Sequence, residues 1–126
     1  MRIHHVALWT ADLDRAVAFW KGLFGIDAGD LYESARRPGF TSRFLALAPD
    51  QSIEIMQAPW LEAACAGERV GYAHVALSAG SPEAVDALAD RARQAGCLNA
   101  APRWTGDGFY EAVVVDPDGN LIEVTA

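Results

Sequence analysis

Basic residues are scarce in this chain of 126 residues, since ten Lys and Arg stand against seventeen Asp and Glu, for a formal net charge of −7 at pH 7. Nucleic acids and anionic membrane surfaces bind proteins through clustered Lys and Arg, so this balance argues against both as partners. Long apolar runs are also missing, because no segment approaches a signal-peptide core or the roughly 20 apolar residues of a membrane span. We therefore expect a cytoplasmic protein whose partner is a small molecule or another protein.

Cysteine is equally rare, because the chain has only Cys65 and Cys97, which lie far apart and form no CxxC pair. We therefore expect neither a disulfide framework nor a cysteine zinc knuckle, and reduced thiols are in keeping with the cytoplasm. Hydrophobic residues, by contrast, make up 52% of the sequence. At this length, that content predicts one compact domain over residues 1–126.

Histidine occurs only three times, yet two of the three residues open the same four-letter word. His5 and His74 each begin HVAL, at an offset of 69 residues (74 minus 5). The same offset relates the segment IEI around Glu54 to the segment IEV around Glu123, since 123 minus 54 is also 69. An internal duplication therefore superposes a histidine on a histidine and a glutamate on a glutamate.

Both halves open with the signals of a strand followed by a helix. Each strand alternates in polarity, and each helix has an apolar stripe at helical spacing between an N-cap and a glycine. The strands cover residues 3–9 and 72–78, the N-caps are Asp12 and Ser81, and the glycines are Gly25 and Gly96.

Three strand-like runs follow each helix. In each half the last two runs are joined by a turn with the residues of a β-hairpin, APDQ in the first half and DPDGN in the second. The runs lie near 28–32, at TSRFLAL and at SIEIMQ in the first half, and near 99–104, at FYEAVVV and at NLIEVT in the second. The pattern is βαβββ twice, which predicts an α+β fold of two modules, about 1–64 and about 70–126. The segment CAGERVG, Cys65 to Gly71, is the expected linker.

Alternation along the strands predicts where the duplicated polar residues point. Successive side chains of a strand face opposite sides, and the apolar neighbours of His5 and His74 should pack on the helices. The apolar residues that flank Glu54 and Glu123 should do the same, which leaves all four polar side chains on the helix-free side. By the same rule His4 faces the helix, where we expect a structural role.

Two imidazoles and two carboxylates on a half-buried sheet face are costly unless they are paired, hydrated or bound to a metal. Their nitrogen and oxygen donors suit a divalent transition metal. Satisfied core histidines and a solvated strand face are the alternatives that the residues leave open.

With these residues, the chain resembles the vicinal oxygen chelate superfamily, and within it glyoxalase I (lactoylglutathione lyase) of the glyoxalase, bleomycin resistance and dioxygenase group. The resemblance covers nearly the whole sequence, through RIHHVALWTADLDRAVAFWKGLFGI, SIEIMQ, GYAHVALS and DPDGNLIEV in that order. It implies tandem βαβββ modules that form cupped mixed sheets with the helices on the outer face. It also implies a homodimer whose sites are shared between the chains.

The resemblance further implies a ligand set of His5, Glu54, His74 and Glu123, holding one divalent nickel, cobalt or zinc ion per site. The implied activity is that of a metal-dependent lyase or isomerase, which uses metal-stabilised enediolate chemistry on a small α-oxo or hemithioacetal substrate. Glu123 would be the acid–base residue and Glu54 its pseudo-symmetric partner.

Two positions depart from the glyoxalase I pattern, because Trp9 stands where an Arg is usual and Ala58 where an Asn is usual. Both usual residues help to hold glutathione, so the substrate stays open. We also expect substrate contacts from the indole rings of Trp9, Trp60 and Trp104 and from the guanidinium of Arg103. Core packing for the tryptophans and solvation for the arginine are the alternatives.

Two other functions fit the same residues. One is a metal-dependent epimerase of the same superfamily, which would use the same chemistry. The other is a non-catalytic, dimeric drug-binding protein of the resistance type, which would trap an aromatic ligand without turnover.

Overall fold

A computed structural model describes residues 2–62, 67–68 and 70–126. The chain forms two compact units, Met1–Ala63 and Ala64–Ala126. Part of the predicted linker, including Cys65, lies outside the described residues, whereas Cys97 is a free thiol. Neither helix in the described part of the chain is long and apolar enough to cross a membrane. The cytoplasmic location stays a prediction.

The first unit is a four-stranded mixed sheet with one helix. Its strands run in the order β1-β4-β3-β2, with β1 parallel to β4 and the other pairs antiparallel. The elements are β1 (His5–Trp9), α1 (Leu13–Phe24), β2 (Tyr32–Glu33), β3 (Thr41–Ala48) and β4 (Gln51–Gln57).

The second unit repeats this topology. Its strand order is β5-β8-β7-β6, and β5 is parallel to β8. The elements are β5 (His74–Ser78), α2 (Pro82–Gln94), β6 (Leu98–Trp104), β7 (Tyr110–Val115) and β8 (Leu121–Thr125). The predicted α+β fold of two tandem βαβββ modules is therefore confirmed.

The helix boundaries follow the capping signals of the sequence. The Asp12 carboxylate accepts a hydrogen bond from the backbone N–H of Arg15 at 2.9 Å, and the Ser81 hydroxyl accepts one from Ala84 at 3.3 Å. Such caps satisfy N–H groups that have no partner inside the helix. At the other end of α1, Gly25 has a φ of 72°, a left-handed conformation that costs glycine nothing.

Each helix buries its apolar stripe against one face of its own sheet. In the first unit α1 packs on β4, and in the second α2 packs on β6, β7 and β8. Full burial of one such side chain contributes roughly 1.5–3 kcal/mol to stability. The buried apolar residues of the helices and strands are Leu13, Ala16, Trp20, Leu23, Leu45, Ile53 and Ile55 in the first unit, and Val85, Leu88, Ala89, Ala92, Ala112, Val114, Ile122 and Val124 in the second.

The second strand of the first unit, β2, is shorter than the predicted strand near 28–32 and begins later in the sequence. β2 consists of Tyr32 and Glu33, which pair with β3. Before it in the sequence, Ala28 forms an isolated bridge to Leu45 of β3. Between them, Gly29 donates its N–H to the carbonyl of Phe44 at 2.8 Å. Glycine and aspartate at positions 29 and 30 disfavour a continuous strand here.

Ile53 and Ile122 occupy equivalent core positions, and each is at most 1% exposed. We expect Ile53→Ala and Ile122→Ala each to lower the free energy of unfolding by about 2–5 kcal/mol, because each removes buried methyl groups and leaves a cavity. The matched controls, Ile53→Val and Ile122→Val, should cost about 0.5–1.5 kcal/mol. Urea unfolding measures both, and equal losses for Ala and Val would contradict the packing described here.

Candidate metal centre

The register of the parallel strands places the predicted ligands on one face of each sheet. Ala7 of β1 pairs with Glu54 of β4, and Ala76 of β5 pairs with Glu123 of β8. Each histidine lies two residues before the paired alanine and so shares its face. The buried core residues that flank each glutamate lie on the opposite face, against the helix. The register therefore directs the four side chains to the helix-free faces of the two sheets, the orientation that the alternation predicts.

Each unit carries one His–Glu pair, and the two pairs have nearly the same geometry. His5 Nε2 lies 3.9 Å from a carboxylate oxygen of Glu54, and His74 Nε2 lies 3.6 Å from a carboxylate oxygen of Glu123. Both glutamate side chains are 17% exposed, and both histidines are more open. The donor atoms are therefore accessible from the helix-free side of each sheet.

The spacing of each pair fits two neighbouring ligands of one metal ion. Bonds of about 2.0–2.2 Å from a metal to His nitrogen and carboxylate oxygen put adjacent donor atoms roughly 3.0–3.5 Å apart. The two observed separations exceed this range by a few tenths of an ångström at most. A small side-chain adjustment suffices to bring either pair onto one ion.

The structure brings the four predicted ligands together as two pairs. Across residues 2–62, 67–68 and 70–126, no group of three or more His, Cys, Asp or Glu side chains is placed to hold a metal ion. Each pair thus supplies two donors, which is half of the predicted set.

His4 lies beside the first pair and not on the helix side of the sheet, so that expectation was wrong. β1 begins at His5, so the alternation of strand side chains does not extend to His4, which is exposed. Its Nδ1 lies 3.0 Å from Nδ1 of His5, and the rings of His5 and Phe44 meet edge to face with centroids 5.5 Å apart. A hydrogen bond between the two Nδ1 atoms requires one of them to carry a proton and leaves Nε2 of His5 directed at Glu54.

Glu111 lies beside the second pair and was not predicted as a site residue. It is only 6% exposed, and Arg103 donates a hydrogen bond to its carboxylate at 3.0 Å. Burial raises the pKa of Glu111, and so do the charge of Glu123, a hydrogen bond to Glu123 and the charge of Asp107, whereas Arg103 lowers it. The alternation of FYEAVVV was the available signal, because it puts Glu111 on the same face as Val113, which pairs with Glu123.

Two of the predicted substrate-contacting residues, Trp9 and Trp60, belong to an aromatic cluster of the first unit. The ring of Trp9 meets Phe40 edge to face at 6.0 Å, and the guanidinium of Arg37 lies 4.6 Å from the ring centroid of Trp60 and 5.4 Å from that of Phe40. Tyr32 contacts Phe40 at 6.4 Å. We call Trp9, Tyr32, Phe40 and Trp60 the aromatic cluster, and its tryptophans and Tyr32 are partly exposed.

The other two predicted contacts lie in the second unit. Arg103 is paired with Glu111, so part of its guanidinium is engaged within the protein. Trp104 is largely exposed and its ring lies 5.3 Å from that of Tyr110. Ala58, by contrast, is buried, which leaves no side chain to contact a substrate at that position.

The family to which the chain belongs follows from comparison with known proteins. A family model described as the Glyoxalase/Bleomycin resistance protein/Dioxygenase superfamily matches residues 2–124. An uncharacterized protein of Pseudomonas aeruginosa is 34% identical over 125 residues, which cover 94% of this chain and 84% of that protein. The protein is a member of this superfamily, as the sequence predicted.

Solved structures share the fold at lower identity. Glyoxalase I from Zea mays matches with a TM-score of 0.80 and 22% identity over 98% of this chain, which spans only 44% of the maize chain. The trypanothione-dependent glyoxalase I of Leishmania major matches with a TM-score of 0.76 and 23% identity, covering 99% and 86% of the two chains. A glyoxalase, bleomycin resistance and dioxygenase domain from Frankia sp. EAN1pec reaches 0.85 with 17% identity, covering 99% and 96%.

Gly39 lies between Arg37 and Phe40 in the loop before β3 and packs closely against Pro59. Its φ is 85°, and a Cβ there would lie 2.9 Å from Cγ and Cδ of Pro59. Gly80 has a similar φ of 88° with nothing within 4 Å of such a Cβ. We expect Gly80→Ala to cost roughly 1–2 kcal/mol for the left-handed backbone and Gly39→Ala to cost more, because it also displaces Pro59.

Urea unfolding measures the two losses, and tryptophan fluorescence reports whether the aromatic cluster opens in Gly39→Ala. Equal losses in the two variants, with unchanged fluorescence, would refute the contact between Gly39 and Pro59.

Proposed function

We propose that the protein is a metal-dependent lyase or isomerase of the glyoxalase I type that acts on a small α-oxo compound or hemithioacetal. The observation that carries the proposal is the repeated His–Glu pair, at 3.9 Å between His5 and Glu54 and at 3.6 Å between His74 and Glu123. These four residues are the proposed ligands of one divalent nickel, cobalt or zinc ion per site. A metal-dependent epimerase of the same superfamily would use the same residues.

The chemistry of the four side chains supports this function. Imidazole nitrogen and carboxylate oxygen are suitable ligands for these metals, and four protein ligands leave further positions to a six-coordinate ion. A metal bound there would polarise a substrate carbonyl and stabilise negative charge that develops on its oxygen. Glu123 is our choice for the residue that moves the proton on the adjacent carbon, with Glu54 as its partner, because both carboxylates remain partly accessible.

The proposed complete site needs both pairs, and we propose that a homodimer supplies them. One subunit would provide His5 and Glu54 and the other His74 and Glu123, as in the family pattern. Each His–Glu pair lies within one unit, so each could be contributed by a different subunit.

The substrate is proposed to be held mainly by aromatic contacts. Trp9 lies on the same face of β1 as His5 and is partly exposed within the aromatic cluster. An indole at position 9 and a buried methyl group at position 58 offer no charge or amide to glutathione. We therefore favour a substrate with an apolar portion, placed by Trp9 and Trp60 and, from the second unit, by Trp104 and Arg103.

The aromatic cluster also favours a second candidate function, the binding of a planar ligand without turnover. Exposed indole rings, with Arg37 stacked on that of Trp60, are suited to planar or weakly anionic compounds. Metal content separates the two functions, because a pure binding protein has no need of the His–Glu pairs.

Removal of either proposed histidine ligand should abolish metal uptake. We expect the purified protein to bind one Co²⁺ per chain, and we expect His5→Ala and His74→Ala each to lose binding, because two nitrogen donors serve each site. Elemental analysis and cobalt titration measure this. Glu62→Gln, on an exposed side chain, is the control and should bind normally. Full cobalt binding by either histidine variant would refute the ligand set.

Glu123→Gln should retain most of the bound metal and lose at least about 100-fold in turnover, since an acid–base residue typically contributes 10²–10⁴-fold. Turnover is measured with methylglyoxal, with and without glutathione, in the presence of Ni²⁺, Co²⁺ and Zn²⁺ in turn, together with deuterium uptake from D₂O at the carbon beside the carbonyl.

Glu54→Gln is the matched variant of the other pair. Undiminished exchange in metal-loaded Glu123→Gln would exclude the proton-moving role of Glu123. Absence of product with glutathione and every metal would exclude glutathione as co-substrate, and exchange without glutathione would identify a simpler α-oxo substrate.

A further inference from the structure

The two His–Glu pairs have different neighbours. Beside Glu123, the carboxyl of Glu111 is buried and accepts a hydrogen bond from Arg103 at 3.0 Å. Glu111 pairs with Thr125 and Val113 pairs with Glu123, so Glu111 and Glu123 are diagonal neighbours on one sheet face. Diagonal neighbours of this kind are within reach of each other's long side chains.

The corresponding place in the first unit is occupied by Ser42, because 42 plus 69 is 111. The register agrees, since Ser42 pairs with Met56 and Glu111 pairs with Thr125, again 69 residues apart. Ser42 is fully buried, and among the described side chains its hydroxyl is the buried group that lacks a hydrogen-bond partner. The duplicated sheet therefore has a short side chain beside Glu54 and a long, anchored one beside Glu123.

A buried and anchored neighbour restricts the side chain beside it. Glu111 is only 6% exposed and lies diagonally beside Glu123 on the same sheet face, so it limits the space open to the Glu123 side chain. Arg103 pairs directly with Glu111 across β6 and β7 and holds its carboxyl in place. A side chain beside a fixed neighbour has fewer accessible rotamers, and neighbours of this kind orient metal ligands in many proteins.

We propose that Glu111, held by Arg103, is a positioning residue that fixes the carboxyl of Glu123 against His74, and that the two glutamates of the proposed site are therefore not equivalent. The role assigned to Glu123 rests on the proposed function, whereas the contact between the two carboxyl groups does not involve a metal.

The contact itself is tested in the full-length, metal-free protein by a double-mutant cycle. Glu111→Ala, Glu123→Ala and the double variant are compared by thermal unfolding, beside a matched cycle of Ser42→Ala and Glu54→Ala. We expect the midpoint shifts of the first cycle to depart from additivity by at least about 2 °C and those of the second to be additive. Additive shifts in the first cycle would overturn the proposal.

The positioning role is tested with Co²⁺ alone as the probe, by the dissociation constant and the visible absorption spectrum. Glu111→Ala should weaken cobalt binding about 10–100-fold and alter the spectrum, as loss of a ligand's supporting partner commonly does. Glu111→Gln should restore most of the affinity, because glutamine keeps the length of the side chain and its amide is able to donate a hydrogen bond to Glu123. Ser42→Ala should bind as the unsubstituted protein does.

The positioning role would be overturned if Glu111→Ala bound cobalt within about twofold of the affinity of the unsubstituted protein, since loss of a residue that supports a metal ligand typically costs about 10-fold or more in affinity. It would also be overturned if Glu111→Gln bound cobalt as weakly as Glu111→Ala. Failure of the proposed function looks different. The unsubstituted protein would then bind no cobalt, while the metal-free cycle would still report the contact between Glu111 and Glu123.

Discussion

The parallel pairing of the first and last strands of each unit is the constraint on which the rest of the structure depends. It sets Ala7 opposite Glu54 and Ala76 opposite Glu123, and so places each histidine on the same face as a glutamate. A slip of one residue would turn the glutamates toward the helix and the core residues toward water. Burial of the flanking side chains, at roughly 1.5–3 kcal/mol each, opposes that slip. Apolar packing on one face thus positions the polar groups on the other.

Duplication has preserved this skeleton while the surroundings of the two pairs have diverged. The first unit places His4 and Phe44 beside His5, and leaves Ser42 beside Glu54. The second unit places Glu111 and Arg103 beside Glu123. Equivalent backbone positions can carry different chemistry because a strand's side-chain direction is set by register, whereas the residue type is free to change. The two glutamates of the proposed site therefore lie in different electrostatic surroundings.

Membership of the superfamily and the proposed activity rest on different observations. The family model and the solved structures account for the fold, since neighbours at 22% and 23% identity share it across nearly the whole chain. The proposed chemistry rests on the His–Glu pairs of this chain, and the proposed substrate on Trp9, Ala58 and the aromatic cluster. Residues that hold a substrate vary within a conserved scaffold because they face the solvent and not the core.

The sequence by itself determined the features that depend on local chemistry and on the repeat. These were the helix caps at Asp12 and Ser81, the paired modules, and the face on which His5 and Glu54 lie. Only the tertiary structure decided that Glu111 lies beside Glu123 while Arg103 holds it, that His4 turns to His5, and that the second strand is confined to Tyr32 and Glu33. The reason is physical, because caps and alternation act between residues close in sequence. Contacts across strands exist only once register and packing have brought distant residues together.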